Sequence, residues 1–318
     1  GVALGSGGFH NAEDLMRDAD NAMHRSRSSA ESTITVFQSA MHQQVMRDLQ
    51  LESLLRAALR EQLLVAHFQP IVDLRSSLTT GFEALVRWPQ VNTRQIGPDV
   101  FVPLAESLGL VHDLGMQMLD QSCRCLKAWR DRGLADDEIS ISVNLSARQL
   151  TQLDLADQIV ACIEKHGLPP SALKLEITEG TLVTRKELAT SQLGKLRAKG
   201  LKILIDDFGT GYSSLAYLTT LPISELKIDR SFVKDLGVTH ESSAVVAAVI
   251  ALAHTLGLRV VAEGVETLQQ MSELHRLGCQ EMQGFLFSRP VEPDTGMPAL
   301  MDGIQQQLAR WQSHLRSP

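Results

Sequence analysis

The chain has 318 residues, of which 44 % are hydrophobic and 21 % are charged, the balance of an ordinary globular protein. Its formal charge of −7 argues against binding of a nucleic acid polymer or an anionic membrane, because both require basic surfaces. The longest apolar run, residues 244–253, is too short to span a bilayer, and no secretory signal is recognised. Four irregularly spaced cysteines indicate no disulfide framework. We therefore expect a cytoplasmic protein with reduced thiols, and a longer, membrane-anchored parent is compatible with this expectation.

The first 62 residues differ from the rest of the sequence. Residues 1–39 combine a glycine-rich start, an amphipathic helix pattern around Leu15 and Met23, and a strand pattern at residues 33–37. These elements cannot complete a hydrophobic core, so they predict the end of another domain. A strong helical pattern over residues 41–64 predicts a helix that is either a linker between domains or the first helix of the main domain. We assign residues 40–62 to the linker and residues 63–318 to the main domain.

Short apolar runs alternate with helical patterns throughout the main domain. Eight strands are predicted at residues 67–74, 78–87, 139–145, 173–178, 202–207, 225–229, 259–262 and 281–287. This alternation predicts an α/β fold, a modified (β/α)8 TIM-type barrel. The turn at residues 75–77 is too short for a crossover, so the first pair is predicted to be antiparallel.

Polar side chains occupy nearly every predicted strand end, where a barrel of this type carries its functional residues. They are Glu83, Asn144, Glu176, Glu179, Asp206, Asp207, Lys227, Asp229, Glu263, Glu266 and Gln283. One acidic residue after a strand is most often a turn former or a helix cap, but here seven of the eight strand ends carry an oxygen ligand or a cation. Clustered carboxylates repel one another unless a cation lies among them, and an all-oxygen set favours Mg²⁺ or Mn²⁺ over Zn²⁺. The adjacent Asp206 and Asp207 suit a two-metal site for in-line displacement at phosphorus.

Other motifs exclude several enzyme classes. The sequence contains no Walker A motif, no complete G-x-G-x-x-G and no G-x-S-x-G, which disfavours ATPases, dinucleotide-dependent oxidoreductases and serine hydrolases. The glycines within residues 207–214 by themselves indicate only a tight turn between a strand and a helix.

A series of motifs along residues 63–300 resembles EAL domains, the cyclic di-GMP phosphodiesterases. Glu83-Ala84-Leu85-Val86-Arg87-Trp88 resembles the family signature. The other motifs, in chain order, are Gln69-Pro70-Ile71-Val72-Asp73, Asn144-Leu145-Ser146, Glu176-Ile177-Thr178-Glu179, Asp206-Asp207-Phe208-Gly209-Thr210-Gly211, Lys227-Ile228-Asp229, Ala262-Glu263-Gly264-Val265-Glu266-Thr267 and Gln283-Gly284-Phe285. So many motifs in the family's order do not arise by coincidence.

The resemblance implies a role for each matched residue. The implied ligands of a first metal are Glu83, Asn144, Glu176 and Asp206, and those of a second metal are Asp206 and Asp207. Glu263 resembles a general base or a second-metal ligand, and Lys227 resembles the lysine that polarises the attacking water. The implied substrate contacts are Gln69, Leu85, Arg87, Asp229 and Gln283, with the Arg87 fork suited to a phosphate. Glu179 and Glu266 resemble residues that anchor the loop at 207–214.

The resemblance therefore implies that the protein hydrolyses cyclic di-GMP to linear pGpG and uses two Mg²⁺ or Mn²⁺ ions. It also implies that Ca²⁺ inhibits this reaction and that the protein forms homodimers. Residues 1–39 resemble the last part of a GGDEF domain without its signature motif, so the sequence resembles a fragment of a GGDEF–EAL protein. One alternative is an EAL module that binds cyclic di-GMP without hydrolysing it. A second alternative is an unrelated metal-dependent barrel of the aldolase or enolase type.

Overall fold

The computed structural model of this chain describes residues 1–4, 12–28, 34, 36–37, 39–89, 96–184, 186–209, 218–238, 240–293, 301, 303–308 and 311. By its internal contacts the chain divides into two compact units, Gly1–Glu61 and Gln62–Pro318. Among the described residues, no helix has both the length and the apolar character needed to cross a bilayer.

The first unit contains two helices, α1 (Ala12–Ser28) and α2 (Ser39–Arg60). Val2 and Val36 form a parallel bridge, and Phe37 N donates to Val2 O at 2.7 Å. A strand–helix–strand arrangement is thus present, although parts of the predicted strand at 33–37 lie outside the described residues. Helix α2 ends before the predicted limit of residue 64, because Gln62 adopts a left-handed conformation with φ of 55° and the next strand starts soon after it.

The second unit is a closed barrel of eight strands in sequential order. The strands are β1 (Val65–Asp73), β2 (Leu78–Arg87), β3 (Ser140–Asn144), β4 (Leu173–Thr178), β5 (Lys202–Phe208), β6 (Glu225–Ile228), β7 (Arg259–Ala262) and β8 (Glu281–Gln283). Strand β1 is antiparallel to both of its neighbours, β2 and β8, and the other pairs are parallel. The predicted barrel with one antiparallel strand is confirmed.

Strand periodicity separates an apolar outer face from a polar interior. In β4, the apolar Leu173, Leu175 and Ile177 alternate with Lys174 and Glu176, and all five are buried. Lys174 and Glu176 both contact side chains of β6, which is separated from β4 by β5, so these contacts cross the barrel interior. The apolar residues therefore face the surrounding helices.

Eight helices of the second unit are described: α3 (Pro98–Ser107), α4 (Val111–Asp131), α5 (Leu155–Lys165), α6 (Glu179–Thr184), α7 (Lys186–Ala198), α8 (Arg230–Lys234), α9 (His240–Thr255) and α10 (Leu268–Arg276). Helix α4 packs on the first two strands through Trp129, whose ring centroid lies 4.9 Å from that of Phe68 and 5.2 Å from that of Phe82. The alanine- and valine-rich segment around residue 250 is helical, as its composition predicts.

The predicted strand at 281–287 is wrong beyond Gln283. After β8 the chain turns around Val265, whose N–H donates to Gln283 O at 3.0 Å and whose carbonyl accepts from Leu286 N at 2.9 Å. Gly284 lies so close to this segment that a Cβ atom there would be 2.1 Å from Val265 O. The turn therefore requires glycine and ends the strand.

Charged residues also fill the barrel on the side opposite the strand ends. Lys174 Nζ donates to Glu225 Oε2 at 2.7 Å, and Arg259 Nη2 donates to Glu225 Oε1 at 3.0 Å. Arg259 Nη1 lies 3.6 Å from Glu281 Oε1. Burial alone would raise the pKa of Glu225, but Lys174 and Arg259 outweigh it and hold the pKa below its usual value.

We predict that Lys174→Met lowers the free energy of unfolding by about 3–5 kcal/mol, because it removes an ion-pair partner of a carboxylate that is 1 % exposed. Urea unfolding followed by circular dichroism measures the loss. Lys199→Met is the matched control, since its 3.0 Å pair with Asp157 is largely exposed and contributes at most about 1 kcal/mol. Equal losses in the two variants would contradict the prediction.

Candidate active site

The ammonium group of Lys227 lies at the centre of the polar strand ends. Its Nζ is 2.7 Å from Glu176 Oε2, 3.3 Å from Glu83 Oε2 and 3.5 Å from Asp206 Oδ1, and it also contacts Glu263 Oε1. Lys227 is fully buried. Burial by itself lowers the pKa of Lys227, but the carboxylates around it, led by Glu176, raise it well above its usual value. Lys227 therefore carries a permanent positive charge among carboxylates from four strands.

One buried ammonium does not neutralise all of these carboxylates. Burial raises the pKa of Glu176 well above its usual range, and the neighbouring Glu83 carboxylate adds to the shift. Burial likewise raises the pKa of Glu263 to about 8, against the opposing charge of Lys227. Glu176 Oε1 is buried and has no hydrogen-bond partner among the described residues. The site thus contains more carboxylate oxygens than its own cation and donors satisfy.

Glu83 is held ionised by the groups around it. Gln283 Nε2 donates to Glu83 Oε2 at 2.6 Å, and Asn144 Nδ2 donates to Glu83 Oε1 at 3.1 Å. Burial alone would raise the pKa of Glu83, but Lys227 and these two hydrogen bonds leave it below its usual value. Gln283 Nε2 also donates to Gln69 Oε1 at 3.0 Å. Four predicted residues thus form one connected network.

The register of the barrel places Glu83 differently from its predicted position at a strand end. Glu83 lies in the middle of β2, directly opposite Gln69 of β1. Because β1 runs in the opposite direction to the other strands, its residues reach the site from mid-strand as well.

A local irregularity brings Asp206 and Asp207 to the same place. Side chains of consecutive strand residues normally point to opposite faces. Here the pairing of β5 with β6 shifts between Ile205 and Phe208, and Asp207 adopts a left-handed φ of 54°. As a result, carboxylate oxygens of Asp206, Asp207 and Glu263 lie within 4.8 Å of one another. Burial and then the neighbouring carboxylate of Asp206 raise the pKa of Asp207 to about 6.

A cavity of about 710 Å³ opens beside these carboxylates. All five predicted substrate contacts line it: Gln69, Leu85, Arg87, Asp229 and Gln283. Arg230 and Phe285 also line the cavity, and sequence reasoning assigned no role to either. Asp229 additionally caps α8, since its Oδ1 accepts from Ser231 N at 3.0 Å.

The cavity wall depends on close backbone approach at Gly264. This residue follows Glu263 with a φ of 69°, which favours glycine. A Cβ atom at this position would lie 2.5 Å from the Cβ of Arg230. The motif glycine therefore lets Glu263 and Arg230 line the same cavity.

Glu179 lies apart from the cavity and contacts the loop after β5. It is 2 % exposed, and its Oε2 accepts from Gly209 N at 2.9 Å. The part of the predicted loop at residues 210–214 lies outside the described residues. Glu266 is exposed at the cavity, and its own N–H donates to Gln270 Oε1 at 2.8 Å. The anchoring roles of Glu179 and Glu266 stay predictions.

The donor set of this site fits divalent cations. The five carboxyl groups of Glu83, Glu176, Asp206, Asp207 and Glu263, with the one ammonium of Lys227, leave four formal negative charges. Two divalent cations carry the same charge. All of the candidate ligand atoms are oxygens, which hard cations such as Mg²⁺ and Mn²⁺ prefer.

Comparison with known proteins agrees with this geometry. Residues 52–290 match the family model described as EAL domain. The chain is 43 % identical over 291 residues to the bifunctional diguanylate cyclase/cyclic di-GMP phosphodiesterase MucR of Pseudomonas aeruginosa, covering 92 % of this chain and 42 % of MucR. It is 38 % identical over 291 residues to the cyclic di-GMP phosphodiesterase NbdA of the same organism, covering 92 % of this chain and 37 % of NbdA. The chain thus spans roughly two fifths of the length of these curated relatives.

Solved structures give the same assignment. The c-di-GMP complex of the PaMucR phosphodiesterase superposes with a TM-score of 0.71 at 45 % identity, covering 76 % of this chain and 97 % of that one. The EAL enzyme Bd1971, in its form bound to cAMP and cyclic di-GMP, superposes with a TM-score of 0.76 at 34 % identity, covering 82 % and 71 %. The barrel, the ordered motifs and these similarities together show that the chain belongs to the EAL domain family, whose members among its relatives include cyclic di-GMP phosphodiesterases.

Proposed function

We propose that this protein hydrolyses one phosphodiester bond of cyclic di-GMP and releases linear pGpG. The observation that carries the proposal is the convergence of four carboxylates on Lys227, beside a cavity lined by all five expected substrate contacts. The similarity to cyclic di-GMP phosphodiesterases supports the choice of substrate.

Two divalent cations, Mg²⁺ or Mn²⁺, fit the carboxylates of the site. Glu83, Asn144, Glu176 and Asp206 would hold the first, and Asp206 and Asp207 the second, with Glu263 a further candidate ligand of the second. When bound, such a pair activates water and stabilises the charge that develops during displacement at phosphorus.

The side chains of the chain itself perform the remaining steps. Lys227 Nζ donates a hydrogen bond to the attacking water, and the neighbouring Glu263 carboxylate accepts the proton that this water loses. The water oxygen bonds to phosphorus while the bond from phosphorus to the 3′ oxygen breaks, and that oxygen takes up a proton from solvent. Arg87 is the cavity residue suited to a phosphate, because its guanidinium fork matches two phosphate oxygens.

The same residues weigh against a module that only binds cyclic di-GMP. Such a module would not need Lys227 among the carboxylates, nor the irregular backbone that brings Asp207 beside Asp206 and Glu263. Both features add buried charge or strain without contributing to a binding surface.

Further proposals concern the domain organisation, the location and the assembly of the protein. We propose that residues 1–39 are the end of a GGDEF domain and that residues 40–62 link it to the EAL domain at 63–318. The family model begins at residue 52, within this linker. We also propose that the protein acts in the cytoplasm as a homodimer.

Incubation of the purified protein with cyclic di-GMP and Mg²⁺, followed by chromatography, is expected to yield pGpG. Asp206→Asn is expected to lower the rate at least about a hundredfold with the fold preserved, because a neutral amide cannot serve two cations equally well. Asp157→Asn, an exposed site far from the ligand set in sequence, is the matched control. Turnover of Asp206→Asn within about tenfold of wild type would refute the two-metal assignment, and binding without turnover in wild type would refute the hydrolase.

Cation identity provides a second prediction. Mg²⁺ and Mn²⁺ are expected to support hydrolysis, whereas Ca²⁺ is expected to bind and inhibit. Ca²⁺ forms longer bonds with more ligands in looser geometry, which displaces the attacking water. Rates measured with each cation alone, and with Ca²⁺ added against Mg²⁺, test this. Equal rates with Ca²⁺ and Mg²⁺ would contradict it.

The contact between Glu179 and the loop after β5 provides a third prediction. Glu179→Ala removes the carboxylate that accepts the hydrogen bond from Gly209 N, so the loop that follows Asp207 loses this hydrogen bond. We expect metal affinity or activity to fall by about 10–100-fold, although Glu179 touches none of the proposed ligands. We also expect any dimer that packs on this loop to weaken. A Mg²⁺ titration of activity measures the first effect and analytical ultracentrifugation the second.

Glu179→Gln is the matched control for that experiment, since its amide oxygen still accepts from Gly209 N. It should retain most of the Mg²⁺ affinity. Unchanged Mg²⁺ dependence, rate and association in Glu179→Ala would reduce Glu179 to an ordinary buried carboxylate.

A further inference from the structure

A second group of metal-binding side chains lies between α4 and α5, outside the barrel. Asp120 Oδ1 lies 2.9 Å from His166 Nε2 and 4.0 Å from Cys162 Sγ. One ligand atom from each of these three residues lies within 4.8 Å of the other two. The group belongs to none of the functions assigned above, and its chemistry differs from that of the strand ends.

Cys162 and His166 are four residues apart at the end of α5, a spacing that places both side chains on one helix face, next to Asp120 of α4. Cys123, three residues after Asp120 on α4, lies outside this group of mutually close ligand atoms. Its thiol interacts with that of Cys162 and lowers the pKa of Cys162.

One sulfur atom, one imidazole nitrogen and one carboxylate oxygen are three ligands that tetrahedral zinc accepts, with water as the fourth. Zinc bonds of about 2.0–2.3 Å place neighbouring ligand atoms about 3.3–3.8 Å apart in a tetrahedron. The separations of 2.9 and 4.0 Å seen here bracket that range. Side-chain shifts of about 1 Å would bring the three ligand atoms to these distances.

We propose that Asp120, Cys162 and His166 form a site for Zn²⁺ that joins α4 to α5.

A cation can reach this site from the surface. The side chains of Asp120 and His166 are 33 % and 15 % exposed, and Cys162 is partly exposed. Lys165 Nζ currently lies 2.9 Å from Asp120 Oδ1, but its side chain is 67 % exposed and can turn into solvent. Lys165 is thus a competitor for the carboxylate rather than a barrier to the metal.

The position of the site indicates stabilisation rather than catalysis. His166 follows α5, seven residues before β4 begins at Leu173, and Glu176 of the active site lies near the other end of that strand. The zinc group therefore lies toward the end of the barrel opposite the active-site carboxylates, where a barrel of this type carries stability rather than chemistry. A bound ion would connect residues that are 42 to 46 positions apart in the sequence.

Titration of the reduced, full chain with Co²⁺ tests the proposal. Cobalt in the proposed site is expected to give the intense visible spectrum of tetrahedral coordination and a thiolate-to-metal charge-transfer band. Cobalt bound by the all-oxygen active site gives neither signal, so the two sites are distinguished in one sample. Addition of one equivalent of Zn²⁺ should abolish the band, and a hundredfold excess of free Zn²⁺ over Kd should raise Tm by about 5 °C or more.

Cys162→Ser and His166→Ala are expected to weaken Zn²⁺ binding at this site by at least about tenfold and to remove or displace the band. Cys125→Ser, two positions from Cys123 on the same helix, is the matched control and should keep it. Lys165→Met should lower the Kd for Zn²⁺, because it removes the competing ammonium. Circular dichroism confirms the fold of each variant.

Two results would overturn the site. One is the absence of a thiolate band in the reduced wild-type protein. The other is a band that remains unchanged in both Cys162→Ser and His166→Ala. Activity with cyclic di-GMP is expected to be the same in the His166→Ala variant as in wild type, which separates this outcome from that of the proposed hydrolysis.

Discussion

The ion pairs of one buried ammonium, that of Lys227, organise the active-site end of the barrel. Its carboxylate partners come from β2, β4, β5 and the end of β7, so a single side chain connects four strands across the interior. Burying so many charges costs free energy that one cation does not recover, and the raised pKa of Glu176 is the direct expression of that deficit. The proposed divalent cations would offset this excess of negative charge.

The two ends of the barrel interior differ in their charge balance. At the end away from the site, Lys174 and Arg259 face Glu225 and Glu281, two positive charges against two negative. At the active-site end, five carboxyl groups face one ammonium. Both ends use side chains of β4 and β6 that meet across the interior. The end with equal positive and negative charge stabilises the fold, whereas the end with excess negative charge is suited to binding cations.

Much of this arrangement was predictable from local sequence. The period of two between apolar and polar residues predicts the alternation in β4 and the polar strand ends. The predicted barrel brings those polar residues together. The predicted strand at 78–87 contains Glu83 near its middle, but the pairing that places Glu83 opposite Gln69 of the antiparallel β1 does not follow from the local pattern. The start of α10 is visible in the sequence, because Thr267 and Gln270 form a capping box. The approach of Asp120 to His166 depends on which helix faces pack together, which spacing within one helix does not reveal.

The left-handed backbone at Asp207 has a consequence for which sequences this site tolerates. A φ of 54° is accessible to glycine, asparagine and aspartate and disfavours other residues, whereas the negative charge proposed to bind the second cation requires a carboxylate at this position. Glycine and asparagine adopt this backbone conformation but carry no negative charge, whereas glutamate carries the charge but disfavours the conformation. Aspartate alone meets both requirements, so any substitution of Asp207 is expected to remove function in one step rather than adjust it gradually.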